Sequence, residues 1–111
     1  MQEQENISQR SLGIEATLGV IGGKWKILIL WHLMDSSKRY GQLRRLLPNV
    51  TEKVLIQQLR ELEADGIVGR QIYESEPPKV VEYSLTDYGA SLIPALQLLC
   101  HWGDLHLQRV Q

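Results

Sequence analysis

Apolar residues recur at helical spacing through most of the chain and turn to strict alternation only late in it. Ile14, Leu18 and Ile21 fall every three or four residues and predict a helix that stops at Gly22-Gly23. "KWKILILWHLMD" (24–35) is apolar on nearly every side. Periodicity cannot separate helix from strand there. Its length and its freedom from Gly and Pro predict a buried central helix, with Trp25 and Trp31 as core residues and His32 as a core or surface histidine rather than a metal ligand. "SSKRY" leaves room for a very short strand at Lys38–Tyr40. "GQLRRLLP" (41–48) predicts a two-turn helix with Leu43, Leu46 and Leu47 inward, Arg44 and Arg45 outward, and Pro48 as its end.

After Asn49-Val50, Thr51 is placed to cap a further helix, because its hydroxyl can accept from the free amides of the first turn. That helix runs to Asp65-Gly66, and Leu55, Leu59 and Leu62 form its core stripe. Its opposite stripe is Lys53, Gln57, Arg60 and Ala64, with Glu52 and Ile56 beside it. The pattern then changes. "IVGRQIYE" and "VVEYSL" are rich in Val, Ile and Tyr, and Val81, Tyr83 and Leu85 alternate with Glu82 and Ser84. With "SEPPK" between them they predict a hairpin. Thr86 is expected to cap a long last helix, "DYGASLIPALQLLCHWGDLHLQRV", in which Pro94 marks a kink or the true first turn.

Two short helices joined by a tight turn form a helix-turn-helix, and a hairpin directly after the second helix is a wing. The predicted class is therefore mainly α with a small β-hairpin, a winged helix-turn-helix. The polar stretch 1–13 is expected to be a flexible N-terminal segment, and 14–111 the winged domain with a C-terminal dimerisation helix.

Charge sharpens this picture. The chain is almost neutral, yet Lys38, Arg39, Arg44, Arg45, Lys53 and Arg60 face one acid, Glu52, in the stretch from Lys38 to Arg60. A basic middle in an otherwise acidic chain is the footprint of a polyanion partner. In a helix-turn-helix the second helix enters the major groove and the first crosses the phosphate backbone. Thr51, Glu52, Lys53, Gln57 and Arg60 are thus the expected base-facing residues. Gln57 suits adenine, Lys53 or Arg60 guanine, and Glu52 cytosine. Arg44 and Arg45 are expected beside the phosphate backbone, one contacting phosphate and the other screening acids, with Lys79 at the wing tip; Arg70 is read equally as a phosphate contact and as an edge-strand charge. The expected partner is double-stranded DNA.

The last helix carries two apolar stripes. Leu92, Leu96 and Leu99 form one; Ala95, Leu98, Trp102 and Leu105 form the other. A small domain covers one of them itself, so Leu98, Trp102 and Leu105 are expected to meet a second copy in a homodimer.

The sole cysteine, Cys100, has no intramolecular partner and no zinc-ligand spacing around it. Its neighbour His101 points about 100° away on a helix, so no nucleophile–base pair is formed. Neither enzyme, metal nor cofactor is expected. No signal or transit peptide is visible, and the longest apolar run, 27–34, is too short to span a bilayer. The expected setting is the cytoplasm, without a membrane partner. An unidentified small-molecule effector is left open.

"ATLGVIGGKWKILILWHL", "RYGQLRRLLPNVTEKVLIQQLRELEADGIV" and "PPKVVEYSLTDYG" resemble the HxlR-type branch of the MarR-like bacterial winged-helix transcription regulators. The resemblance runs from about Ile14 to Trp102. It implies a homodimer on a palindromic operator, without catalysis. Members usually carry a Cys-Pro pair ahead of the first helix. Leu12-Gly13 stands there, so thiol sensing is not carried over. A single Val is usual between "PPK" and "EYSL"; Val80 and Val81 occupy that place. The alternative reading is a winged-helix protein-interaction module without DNA binding, which would present an apolar outward stripe instead of the polar one.

Overall fold

The computed structural model describes residues 2–73 and 80–110, and 2–11 by their backbone alone. In chain order the elements are α1 (Gln2–Ile21), α2 (Lys24–Leu33), β1 (Lys38–Arg39), α3 (Tyr40–Leu46), α4 (Glu52–Ala64), β2 (Val68–Tyr73), β3 (Val80–Leu85), α5 (Asp87–Ala90) and α6 (Ile93–Val110). The strands form one antiparallel sheet in the order β1-β3-β2. The hairpin register pairs Val68 with Leu85 and Tyr73 with Val80. β1 adds Lys38 opposite Tyr83 and Arg39 opposite Glu82, so the wing is anchored to the start of the helix-turn-helix.

α1 begins at Gln2, well ahead of the apolar repeat at Ile14. Gln and Glu are good helix formers, and the absence of Pro lets the helix extend through this polar stretch. It ends where Gly22 donates to the Leu18 carbonyl at 2.7 Å, and Gly23, at φ 87°, turns the chain into α2. Such a φ suits glycine, which has no Cβ to clash.

α4 is bounded as its sequence predicts. Thr51 Oγ1 accepts from the Val54 amide at 3.2 Å. At the other end Gly66 has φ 73°, Ile67 N donates to Leu62 O at 2.9 Å, and Gly66 N donates to Glu63 O at 3.0 Å. This pair of bonds satisfies the last carbonyls as a Schellman motif does. Leu55, Leu59 and Leu62 join Ile29, Leu30, Leu43 and Leu96 as the largest fully buried side chains.

Three expectations are corrected. Leu46 is 43% exposed and Trp31 39% exposed. The short α3 turns Leu43 and Leu47 to the core, which leaves Leu46 off that face. On α2 the core face is Lys26, Ile29, Leu30 and Leu33, and Trp31 lies on the opposite side. The last helix is also divided. Thr86 caps only α5, with its Oγ1 accepting from Gly89 N at 2.9 Å. Pro94 lacks an N–H and its ring clashes with the carbonyl four residues back, so the helix breaks and restarts at Ile93. Pro94 thus lies in the first turn of α6.

α1 and α6 project from the body. The radius of gyration is 16.7 Å and the extents are 61 × 37 × 24 Å; a compact domain of this length would have a radius of about 13 Å. Among the described residues no helix is long and apolar enough to cross a membrane.

Candidate nucleic-acid interface

The Leu stripe that buries α4 also sets which side chains it presents. Lys53, Gln57 and Arg60 are exposed on the opposite side, and with Glu61 and Ala64 they line an open groove along the helix. Thr51 and Glu52 sit exposed at its N-terminus, where free amides give a positive end. The flanks are tied to the body. Glu61 Oε2 meets Lys26 Nζ of α2 at 3.3 Å, and Glu63 Oε1 meets Arg70 Nε of β2 at 3.8 Å.

The two arginines of α3 diverge in role. Arg45 is exposed. Arg44 is half-buried, and its NH1 donates to the Val50 carbonyl at 2.7 Å, closing the turn that leads into α4. Sequence reasoning placed both outward; the local loop carbonyl captures one of them. α3 itself starts with Gln42 Oε1 accepting from the Arg39 amide at 2.8 Å.

The wing and α3 enclose a cleft of about 520 Å³, and Arg39, Arg45, Arg60 and Arg70 all line it. Arg39 and Arg70 are the residues that the sequence placed least well. They line one cleft because β1 and β2 both pair with β3, and a two-residue strand leaves almost no trace in the pattern. Burial raises the pKa of the Tyr83 phenol in this cleft, with Glu63 adding to the rise and Arg70 opposing it. Tyr40 behaves alike: burial raises its pKa first and the Glu52 charge second. Both phenols are neutral near pH 7. Lys79, expected at the wing tip, lies outside the described residues.

The described surface therefore offers an amide and cations on the outer face of α4, flanked by the further cations Arg39, Arg45 and Arg70. No group of three or more His, Cys, Asp or Glu suited to a metal occurs among the described residues. If Gln57 reads a base, Gln57→Ala costs about 1–3 kcal/mol on operator DNA and little on mixed-sequence DNA. If Arg45 holds a phosphate, Arg45→Ala should weaken both alike. Competition binding on the two DNAs separates these cases; equal losses for Gln57→Ala assign that residue to phosphate instead.

The second surface is apolar. Leu98 (69%), Trp102 (66%) and Leu105 (51%) are exposed on one face of α6, whose one buried residue is Leu96. Trp102 stacks on His106 with ring centroids 5.2 Å apart. Leu12, Ile14 and Leu18 of α1 are exposed as well. Apolar side chains gathered this way mark an interaction surface.

Known proteins share this fold and much of this sequence. The family model described as HxlR-like helix-turn-helix matches residues 20–111. The HTH-type transcriptional regulator YtcD of Bacillus subtilis (strain 168) is 56% identical over 100 residues, which span 90% of this chain and 79% of YtcD. The crystal structure of the HTH-type regulator ytcD superposes with a TM-score of 0.81 at 54% identity, covering 86% of this chain and 96% of that one. The reduced form of the redox regulator HypR superposes with a TM-score of 0.84 at 45% identity, over 88% and 96% of the two chains.

Proposed function

This chain belongs to the HxlR-like helix-turn-helix family of transcriptional regulators, and from that premise we propose that it binds double-stranded DNA sequence-specifically, as a cytoplasmic homodimer on a palindromic operator. The observation that carries the proposal is the polar stripe of α4. An amide and two cations stand on a helix whose other face is locked into the core by Leu55, Leu59 and Leu62. A helix held so firmly presents its outer face in one orientation, as base reading requires. The exposed face of α6 supports the dimer, since a symmetric partner helix would cover Leu98, Trp102 and Leu105 together.

HypR is a redox regulator. In this chain the thiol is Cys100 on α6, half-buried. Leu12 takes the place where the family usually has its cysteine, and a regulator without that thiol needs another signal or none. The cavity that Ala16 and Thr17 of α1 share with Tyr88 and Leu92 measures about 180 Å³. Ligand pockets usually start at about 300 Å³, so an effector there would have to be small or open the site.

Selection of duplexes from a randomised library tests the proposal. The recovered sequences should be inverted repeats with half-site centres a whole number of helical turns apart, about 34–36 Å per turn. A library that yields no enriched sequence, or only single half-sites, contradicts it.

A further inference from the structure

Lys26 is the one charged residue buried among the described residues, and it shares the core face of α2 with Ile29, Leu30 and Leu33. An ammonium group leaves water at high cost unless an opposite charge meets it. Its Nζ lies 3.3 Å from Oε2 of Glu61 on α4. The same oxygen accepts from Gln58 Nε2 at 3.0 Å. Packing alone does not require a lysine here, because a methionine would fill much the same volume as its stem. The lysine adds a positive charge, delivered from the core to one carboxylate.

That carboxylate stands where charge matters. Glu61 is the single acid among the residues lining the α4 groove, beside Lys53, Gln57 and Arg60. A bare carboxylate among them would repel phosphate and compete for their cations. Glu63 on the opposite flank is treated the same way, by Arg70 at 3.8 Å.

We propose that Lys26 is a positioning residue for DNA binding: it holds the Glu61 carboxylate against α2 and offsets its charge, so that the groove beside Lys53, Gln57 and Arg60 carries no uncompensated carboxylate. The proposal rests on the regulator reading above.

The test uses the full chain and a labelled mixed-sequence duplex at low salt. Each variant is first checked for folding by thermal melting. Lys26→Met should bind about ten-fold more weakly than wild type, because Glu61 is left unmasked. Adding Glu61→Gln to it should restore binding to within about three-fold, since there is then no charge to mask. A merely structural lysine would show no such rescue. Glu61→Gln alone should bind at least as tightly as wild type, and it stays informative if Lys26→Met does not fold. Three results would overturn the proposal: Lys26→Met binding like wild type, the double variant as weak as Lys26→Met, or Glu61→Gln weakened several-fold. Wild-type protein that binds neither this duplex nor any selected one overturns the regulator reading, and the proposal with it.

Discussion

Trp102→Glu is expected to turn the proposed dimer into monomers and to remove operator binding. Trp102 is 66% exposed and lies between Leu98 and Leu105 on the outer face of α6. The buried contact of that helix is Leu96, on its other side, so the fold of each protomer does not depend on Trp102. In a symmetric dimer the change places two carboxylates in one apolar interface, where an unpaired charge shut away from water is strongly destabilising. Losing the second half-site removes the advantage of linked binding, roughly 10²–10⁴ in affinity. Light scattering and a gel shift read both effects. A variant that stays dimeric would move the interface to α1, whose Leu12, Ile14 and Leu18 are exposed too.

Gly89→Ala should destabilise the protein by about 3 kcal/mol, the upper part of the usual range for overpacking. Gly89 is buried in α5, and a Cβ there would collide with the Ile67 carbonyl oxygen. That oxygen cannot easily move. It accepts from Thr86 N at 3.1 Å, and the Thr86 hydroxyl donates to the neighbouring Gly66 carbonyl at 2.6 Å, which ties the start of β2 to the cap of α5. The melting temperature should fall by roughly 10–20 °C, as calorimetry would show. An unchanged melting temperature would mean that this junction gives way without cost.

Gly89 illustrates which features the sequence conceals. Thr51, the Leu stripe of α4 and Gly66 were all legible, because capping and helical periodicity act within a few residues of one another. The outward placement of Lys53, Gln57 and Arg60 followed from the same stripe. Arg44 was legible as a cation and not as the clasp on Val50, since that bond depends on how the turn closes. The shared cleft of Arg39 and Arg70 needs β1 to pair with β3 more than forty residues later in the chain. Lys26 was not legible as a buried charge, because its partner Glu61 comes from a different helix. Trp31 and Leu46 were misplaced because an apolar residue on a short or all-apolar helix does not announce which neighbour covers it. The break between α5 and α6 was legible in Pro94, which lies in the first turn of α6 as one of its two expected places; that Thr86 caps only the short α5 was not.

On the proposed function, the α4 face and its flanking cations bind DNA through phosphate contacts as well as bases. Affinity for a selected duplex, measured across a series of salt concentrations, tests it most directly. If each protomer neutralises about three to five phosphates, the plot of log affinity against log salt should have a slope of roughly −5 to −9 for the dimer. A slope near zero would contradict the claim.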